Sequence, residues 1–372
     1  MKPPDQTLPD VYILEGTANI LDVQDKNVLL AHEYGKEGNR DLQQAILNLG
    51  YPRAEIIKIT LASYRHDLDK HFTKPHYDTP APICFCLCDG TEDDHYPGLS
   101  VVTRLEEKGI PFTGSGSRFY YNTTSKITLK PMLQAHNVPT SPFVEINKES
   151  AKCDLEKAAS IIGWPMIVKP DVSYGSLCIS ESSVCETLDQ ALKQVSCVFA
   201  QTGHGVFVEK FLGGREYTAL CSGDVEYGVK VYVVAERVFN KSLSKYQRLL
   251  AFAKYWEGYD LEGNMPAQGE NQLYSYDAAP EAWQATLQDI ARRAYIATGG
   301  DGYGRVDMRS VDMDDPSAYV LEVNSNCGLS FKQGTSSLGD ILHLSKVSPE
   351  EFVQDLLDFA VARNKRPKRT CM

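Results

Sequence analysis

The sequence predicts an α/β (α+β) protein built from more than one domain. Its 372 residues, 42 % of them hydrophobic, are enough for two or three domains with substantial cores. Strand and helix patterns alternate in the first third, which is typical of a small α/β unit. Strand patterns dominate from residue 206 onward. We therefore divide the chain into an N-terminal domain at residues 1–118, a central domain at 119–204 and a C-terminal domain at 205–372.

The N-terminal domain is predicted to contain three strands and two helices. Apolar runs that suit strands occupy residues 27–31, 54–59 and 82–88. Apolar residues at helical spacing indicate helices at 41–49 and 99–108, and Gly50 and Gly109 end them. We assign no element to residues 1–26. The alternation of strand and helix predicts a small α/β domain.

The later elements follow from the same two periodicities. Helical patterns cover residues 118–137, 186–195, 279–298 and 350–363, and a strand pattern covers 164–169. Residues 239–276 are polar and aromatic and show no clean period. A stretch that long without regular structure is more often a functional lid than filler. We therefore expect a lid in this segment.

Charge and hydropathy exclude several classes of protein. The formal net charge is −11, whereas a general nucleic-acid binder shows a basic excess, so we expect no nucleic-acid partner. The chain has no apolar run of about eighteen residues, so we expect no membrane span. Its first ten residues lack the basic start and apolar stretch of a signal peptide, which predicts a cytoplasmic protein. We interpret the basic run at 365–369 as a solvated tail.

Three of the ten cysteines alternate along one strand pattern. Cys84, Cys86 and Cys88 share one face of that strand. Neighbours at this spacing are poorly placed to form a disulfide, and no Cys-x-x-Cys or nearby His completes a zinc set. We therefore expect buried, reduced thiols rather than metal ligands.

The last third carries a predicted hairpin with polar side chains on one face. Residues at i and i+2 of a strand share a face, so Arg305 pairs with Asp307 and Glu322 with Asn324. A turn centred between residues 314 and 315 places Asp307 opposite Glu322. The same register places Arg305 opposite Asn324. Opposed carboxylates repel unless a cation lies between them, and oxygen ligands suit Mg²⁺. A solvated sheet face is the alternative, although apolar residues cover the other side.

A second pattern suits the phosphates of a nucleotide. Lys169 ends an apolar strand pattern and comes shortly before a Gly-Ser loop that contains Gly175 and Ser176. Glycine allows backbone N–H groups to approach phosphate oxygens closely. Taken alone, a lysine at a strand end is more often a solvated terminus.

A third pattern suits the base and sugar of a nucleotide. Glu209 and Lys210 end a strand pattern, and Phe211 and Leu212 follow as apolar walls for an adenine. Glu216, after a Gly-Gly turn, is a carboxylate that can accept from ribose hydroxyls. A surface hairpin is the alternative explanation when this segment is taken alone.

Together and in this order, the three patterns resemble the ATP-grasp superfamily and, within it, the D-alanine–D-alanine ligases. The resemblance runs from about residue 109 to residue 330. The segments that carry it are 109–116, Lys126 with 138–140, 168–170, 208–210, 214–216, 304–307 and 321–324. It implies an ATP-grasp fold with an N-terminal Rossmann-like substrate domain. It also implies an enzyme that uses ATP to activate a carboxylate as an acyl-phosphate, couples it to an amine, and releases ADP and phosphate.

The resemblance also implies roles for individual residues. Those that match the nucleotide-binding positions are Lys126 and Lys169 for the phosphates, and Glu209, Lys210, Leu212 and Glu216 for adenine and ribose. Those that match the ligands of two Mg²⁺ ions, with Mn²⁺ as an alternative metal, are Asp307, Glu322 and Asn324. Those that match the catalytic positions are Arg305, a backbone N–H near Gly328, the lid residues Lys254 and Tyr255, and Ser176, which bonds to the lid tyrosine. The implied partners are a small carboxylate and a small amine, both amino acids, and a second copy of the chain in a homodimer.

The sequence departs from the family pattern at the expected substrate contacts. The family's Gly-Gly-x-Ser-x-Glu loop is absent, which leaves Glu33 or Glu37 to bind the ammonium group of the first amino acid. Other departures are Cys88-Asp-Gly90, Leu177-Cys178 and the run 324–330. Ser337 and Leu338 match the residues that cap the second substrate's carboxylate, at a longer spacing. We therefore expect intact ATP chemistry with amino-acid substrates other than two D-alanines.

Three alternatives remain open at this point. One is a true D-alanine–D-alanine ligase, and another is a kinase or carboxylase built on the same fold. The third is a nucleotide-binding regulator that no longer ligates. The last is disfavoured because all four residues of the polar hairpin face are present, namely Arg305, Asp307, Glu322 and Asn324.

Overall fold

A computed structural model describes residues 7–18, 36–72, 80–173, 175–251, 273–334 and 336–366, without the side chains of Lys36 and Glu37. These residues form three sheets, each associated with helices. Within the described ranges no helix is both long and apolar enough to cross a membrane. The fold therefore combines helices and sheets throughout, as predicted.

The N-terminal sheet is parallel and Rossmann-like. Its strands are β1 (Val11–Gly16), β2 (Ala54–Ile59), β3 (Ile83–Leu87) and β4 (Phe112–Thr113). The helices are α1 (Lys36–Asn48), α2 (Tyr64–Phe72) and α3 (Leu99–Lys108). The strand order β2-β1-β3-β4 reverses direction between β1 and β3. In sheets of this kind ligands bind outside the carboxyl ends of the strands, at the point of reversal.

Strand β1 lies within residues 1–26, a segment with no element predicted from the sequence. It occupies the centre of the sheet, between β2 and β3, and its apolar residues are buried on both faces. A central parallel strand has a nearly continuous apolar sequence because both of its faces are covered. The strand predicted at 27–31 lies outside the described residues. The short run at 11–14 therefore marks the first strand that the structure shows.

The central sheet is antiparallel and has the order β5-β8-β6-β7. Its strands are β5 (Phe143–Ile146), β6 (Met166–Pro170), β7 (Val184–Cys185) and β8 (Val206–Lys210). Helices α6 (Ala151–Ile162) and α7 (Leu188–Thr202) pack on one face, against Met166, Val168, Val206 and Val208. Because β8 pairs with β5 and β6, a division after Lys210 describes the sheets better than the predicted one after residue 204.

The C-terminal sheet is antiparallel and contains six strands in the order β12-β11-β9-β13-β14, with β10 paired to β9. They are β9 (Glu216–Asp224), β10 (Gly228–Val231), β11 (Ala235–Phe239), β12 (Tyr274–Ala278), β13 (Gly302–Ser310) and β14 (Ala318–Ser325). Helices α4 (Ser117–Thr124), α5 (Lys126–Ala135) and α8 (Glu281–Ala297) cover one face. Helices α9 (Ser337–Leu344) and α10 (Pro349–Asn364) join the other face to the N-terminal sheet.

The three alternating cysteines lie on β3 and just after it. Cys84, Cys86 and Cys88 are buried, free thiols that pack in one cluster with Leu68 and Val101. The prediction of buried thiols on one strand face is confirmed. Their role is to fill the space between the sheet and its helices.

Candidate active site

The polar hairpin has the register that the sequence predicts. Asp307 of β13 lies opposite Glu322 of β14, and Arg305 lies opposite Asn324. A register shift follows directly after Asp307. The other face of the hairpin is buried against the helices, with Val306 at its centre. The four polar side chains are therefore presented together on the opposite face.

The Asp307 carboxylate is held by three neighbours. Arg305 donates from Nε to Asp307 Oδ1 at 2.9 Å and from Nη2 to Oδ2 at 2.9 Å. Asn324 Nδ2 donates to Oδ2 at 3.0 Å, and Thr218 Oγ1 donates to Oδ1 at 2.9 Å. Burial works against the charged guanidinium, but Asp307 outweighs it and raises the pKa of Arg305 above its ordinary value. The guanidinium of Arg305 therefore stays charged, and both side chains are held in place by these bonds.

Lys126 connects the hairpin with the loop after β6. It is the first residue of α5, and its Nζ lies 3.3 Å from Glu322 Oε2. The same Nζ donates to the Ser173 carbonyl and hydroxyl, each at 3.4 Å. Burial opposes ionisation of Glu322, but Lys126, Arg305 and Lys169 outweigh it and lower its pKa to about 2. The carboxylate is therefore ionised at neutral pH.

Glu209 lies between two lysines in the structure. Its side chain is 1 % exposed, with Lys169 Nζ 2.6 Å from Oε1 and Lys130 Nζ 2.5 Å from Oε2. Burial opposes its ionisation, but the two lysines outweigh burial and lower the pKa of Glu209. We predicted a contact with adenine or ribose, but both carboxylate oxygens face ammonium groups. Glu209 is placed to orient Lys169.

Lys130 is a site residue that the sequence did not indicate. It lies inside α5, four residues after Lys126, and is fully buried. Besides Glu209, it donates to Thr140 Oγ1 at 3.0 Å. A lysine within a helical pattern is usually solvated, and its carboxylate partner comes from a distant strand. Only the three-dimensional contact reveals the pair.

An apolar cluster lies next to these lysines. Phe211 packs with Ile167, Val184 and Leu249, and Leu212 is also buried. The Arg309 guanidinium lies over the Phe211 ring, 5.5 Å from its centroid. Both residues therefore belong to apolar surface, and an adenine wall at Phe211 and Leu212 stays a prediction.

The Lys210 side chain points away from this cluster. Its Nζ donates to the Trp164 carbonyl at 3.0 Å, and strand alternation places it on the face opposite Glu209. The predicted contact of Lys210 with adenine or ribose stays a prediction. Its backbone lies beside Phe211, at the edge of the apolar cluster.

Glu216 is paired with two arginines. It begins β9, where Arg237 of β11 and Arg309 of β13 flank it in register. Arg237 Nη1 donates to Glu216 Oε1, and Arg309 Nη1 donates to Oε2 at 3.2 Å. Burial lowers the pKa of Arg309 to about 10, and Arg237 and Arg248 add to the effect. Each oxygen of Glu216 thus accepts one arginine bond because the two neighbouring strands carry arginines, and the predicted ribose contact stays a prediction.

The remaining predicted positions are spread around the site. Ser176 has a left-handed backbone (φ 64°), and Gly328 is exposed, with open space where a Cβ would stand. Ser337 begins α9, but the Leu338 side chain is buried in the core and cannot contact a ligand. The positions outside the described residues are Glu33, Lys254, Tyr255 and the side chain of Glu37.

Glu15 is a second candidate that the sequence did not indicate. It is the last residue but one of β1, at the reversal of strand order, and is 6 % exposed. Its Oε2 accepts from Asn39 Nδ2 at 2.7 Å. Its Oε1 is buried without a hydrogen bond among the described residues, and Lys58 Nζ lies 3.8 Å away. A strand prediction at 11–16 would have placed this carboxylate at a ligand crevice.

The end of β1 that carries Glu15 is close to the loop that follows the polar hairpin. Gly38, next to Asn39 in α1, packs so tightly on Leu329 that a Cβ would overlap the Leu329 carbonyl oxygen. The N-terminal sheet therefore contributes Glu15 on the side of the molecule where β14 ends.

Together these observations define a class of protein. Two antiparallel sheets contribute a group of lysines and carboxylates, and a Rossmann-like parallel sheet precedes them in the chain. This is the arrangement of the ATP-grasp carbon–nitrogen ligases.

Comparison with known proteins identifies the family within that class. The family model described as D-ala D-ala ligase C-terminus matches residues 132–358, more than half of the chain. Curated relatives include the D-alanine–D-alanine ligase of Acinetobacter baumannii, 27 % identical over 241 residues, or 64 % of this chain and 67 % of the relative. The ligase of Acinetobacter baylyi is 26 % identical over 243 residues, with the same shares covered. The chain belongs to the D-alanine–D-alanine ligase family and is an ATP-dependent carboxylate–amine ligase of that type.

Solved structures support the same fold. The Bacillus anthracis D-alanine–D-alanine ligase complexed with ATP aligns with a TM-score of 0.63 at 16 % identity, covering 96 % of this chain and 99 % of that one. The ligase from Coxiella burnetii aligns with a TM-score of 0.64 at 16 % identity, covering 97 % and 96 %. Identity this low supports a shared architecture only.

Proposed function

We propose that this enzyme joins two small amino acids through an acyl-phosphate, and that at least one of them is not D-alanine. The observation that carries the proposal is the end of β1. There Glu15 is a buried carboxylate next to the reversal of strand order, where ligands bind in sheets of this kind, and residues 1–60 contain no Gly-Gly pair, so the family's glycine-rich loop is absent. A changed substrate contact beside an intact ATP site supports a changed substrate.

The nucleotide end of the site supports ATP as the phosphoryl donor. Lys126 and Lys169 provide two ammonium groups for phosphate oxygens, and Glu209 holds the second of them in place. The apolar cluster around Phe211 provides a wall for the base. Lysines act as point charges on phosphates, so fixing their position adds specificity.

The hairpin residues fit a magnesium site. Asp307, Glu322 and Asn324 supply two carboxylates and one amide oxygen. The described part of the chain holds no group of three or more His, Cys, Asp or Glu side chains arranged for a metal. The protein therefore supplies few ligands, which is how Mg²⁺ is bound when phosphates and water complete its shell. When bound, Mg²⁺ or Mn²⁺ would neutralise charge on the phosphates.

The charges of the chain explain how the reaction is assisted. A substrate carboxylate that approaches the γ-phosphate brings anions together, and Lys126, Lys169 and Arg305 offset that repulsion. Arg305 is held by Asp307 and points from the same strand face, where negative charge develops as the amine attacks the acyl-phosphate. Water would hydrolyse this intermediate, so the enzyme needs a cover over the site. The segment 239–276 is our candidate, although residues 252–272 lie outside the described ranges.

A true D-alanine–D-alanine ligase is the second candidate. It is favoured by the family match over residues 132–358, which includes the whole hairpin. It would require that Glu15, or a residue outside the described ranges, takes the place of the family's loop glutamate.

The deciding experiment measures ADP release with Mg²⁺-ATP across single and paired amino acids, with the product identified by mass. Release with one particular pair, and a product lighter than the pair by one water, establishes ligation and names both substrates. If D-alanine alone gives the dipeptide with the highest kcat/KM, our substrate proposal is wrong and the second candidate is correct. If no pair supports release, the amino-acid assignment fails.

We predict that Glu15→Gln weakens binding of the amino acid that occupies the N-terminal crevice. A charge-assisted hydrogen bond contributes about 1.5–3 kcal/mol, so the KM for that substrate should rise roughly 10- to 100-fold. The KM for ATP should change by less than about 2-fold, because ATP lies elsewhere in the site. Steady-state kinetics with each substrate varied in turn measures both values.

The matched control is Glu55→Gln on the neighbouring strand β2. Glu55 is an exposed carboxylate paired with Arg53, so its loss should leave every kinetic constant unchanged. An unchanged amino-acid KM in Glu15→Gln would show that the crevice binds no cationic group through this residue.

A further inference from the structure

The loop after β14 has an unusual way of holding its shape. It runs from Asn326 to Ser330, and Cys327 stands where the family pattern has a proline. Proline fixes the backbone φ angle, so its absence removes a local constraint. Asn326 instead adopts a left-handed backbone with φ 53°. Asparagine is one of the few residues other than glycine that tolerate this conformation.

The Asn326 side chain makes one specific long-range bond. It is 4 % exposed, and its Oδ1 accepts from the backbone N–H of Ser115 at 2.6 Å. Gly114, with φ 87°, allows this approach, since a Cβ there would lie 2.7 Å from Asn326 Oδ1. The bond joins the loop after the hairpin to the segment between β4 and α4.

The Ser115 segment is itself firmly anchored. Ser115 is fully buried and its hydroxyl donates to the Tyr303 carbonyl at 3.3 Å. Arg363 of α10 donates to the Gly114 carbonyl at 3.0 Å and pairs with Asp301 at 2.8 Å. The Asn326 amide is therefore tied to a fixed point rather than to another mobile loop.

The residue after Asn326 is a buried cysteine close to Arg305. Cys327 is buried between Asn326 and the exposed Gly328. Burial raises the pKa of the Cys327 thiol to about 11, and Arg305 is the neighbour that most opposes this. In the hairpin register Arg305 lies opposite Asn324, two residues before Asn326, so the guanidinium is close to the start of this loop.

We propose that Asn326 is a positioning residue, which through its bond to Ser115 fixes the loop so that the backbone beside Arg305 stays in its working geometry. It performs the task that a proline would perform by restricting φ. The proposal rests on the ligase function proposed above, in which Arg305 and the backbone near Gly328 act on the reacting groups.

The side-chain NH₂ group of Asn326 shows which half of the amide matters for this role. Asn326 Nδ2 is buried and has no hydrogen-bond partner among the described residues. An unsatisfied buried donor costs about 1–3 kcal/mol. The acceptor oxygen is therefore the useful part of this side chain, and a replacement that keeps it should keep the function.

The test compares Asn326→Gly with Asn326→Asp. Glycine keeps the left-handed backbone and removes only the side chain, so any loss reports on the bond to Ser115. We expect its kcat to fall about 10- to 100-fold, since small misplacements of reacting groups have effects of that order. The KM for ATP should stay within about 2-fold. Aspartate keeps an acceptor at the same position and should recover most of the turnover, which a purely steric role would not explain.

Amide hydrogen exchange gives a second readout that does not need turnover. Peptides that contain Ser115 and residues 324–331 should exchange faster in Asn326→Gly than in Asn326→Asp or the unaltered protein. Asn137→Gly is the matched control, because Asn137 has φ 54°, is exposed, and lies after α5. It should change neither kcat nor exchange at these peptides.

The outcomes separate this proposal from the proposed function. Faster exchange together with the loss in kcat supports it. Unchanged exchange in Asn326→Gly overturns it, whether or not a substrate pair has been found. Equal loss of kcat in the glycine and aspartate variants also overturns it. If the unaltered enzyme ligates no pair, the ligase assignment fails while the exchange result still decides whether Asn326 fixes the loop.

Discussion

Asp307→Asn and Glu322→Gln should each reduce turnover by roughly 1,000-fold or more, the order of loss seen when an electrostatic element of a site is removed. Each change removes one of the two carboxylates that the hairpin offers to a metal. Asp307 also accepts three bonds from Arg305, so its neutralisation loosens a second catalytic group. Because the pKa of Glu322 is lowered to about 2, its carboxylate stays ionised in mildly acidic buffer. Lowering the assay pH therefore does not reproduce the effect of Glu322→Gln.

The measurement is ADP release at several Mg²⁺ concentrations, with circular dichroism and thermal unfolding to confirm that each variant is folded. Asp314→Asn, an exposed carboxylate at the tip of the same hairpin, is the control and should behave like the unaltered enzyme. Normal turnover in either Asp307→Asn or Glu322→Gln would contradict the proposal that these residues bind the metal.

Arg305→Ala should lower kcat by about 100- to 1,000-fold while the KM for ATP changes by less than about 3-fold. In the proposed mechanism the guanidinium acts on negative charge that develops during the reaction, so its loss should affect the transition state more than bound ATP. Arg305→Lys should recover little, because a lysine cannot reproduce the two parallel bonds to Asp307. Rates measured with saturating and limiting ATP separate the two constants.

Arg293→Ala is a suitable control, since Arg293 is a half-exposed arginine of α8 paired with Asp289 four residues before it. A weaker affinity for ATP with unchanged turnover in Arg305→Ala would contradict the role assigned to Arg305. Mg²⁺ titrations of the variant show whether the remaining Asp307 still binds metal normally.

The hairpin was predictable because its information is local. Strand alternation decides which side chains share a face, and a short polar turn decides which residues oppose each other. Asp307 opposite Glu322 follows from those two facts alone, and the structure confirms it. The contact between Lys126 and Glu322 was not predicted, because nothing local in the sequence connects the two residues.

The ion pairs of Glu209 and Glu216 could not be predicted, because their partners lie far away in the sequence. Glu216 and Glu209 looked like free carboxylates next to an apolar segment. Their cations come from residues 237, 309, 130 and 169, and strand order decides these neighbours. A one-dimensional pattern contains the charges but not the pairing. Glu15 was missed for another reason, because the short apolar run of β1 was left unassigned.

The buried pair of Lys130 and Glu209 limits which substitutions these two positions can accept during evolution. Removing one partner of a buried ion pair strands the other charge, at a cost of about 3–5 kcal/mol. A single neutral replacement at either position is therefore a poor intermediate, although a well-packed apolar pair in both positions can be tolerated. Glu209 also pairs with Lys169, so the double replacement would leave Lys169, a lysine of the proposed nucleotide site, without this carboxylate partner. The two positions should thus be inherited as one unit, with the nucleotide lysine acting as the constraint that keeps both charged.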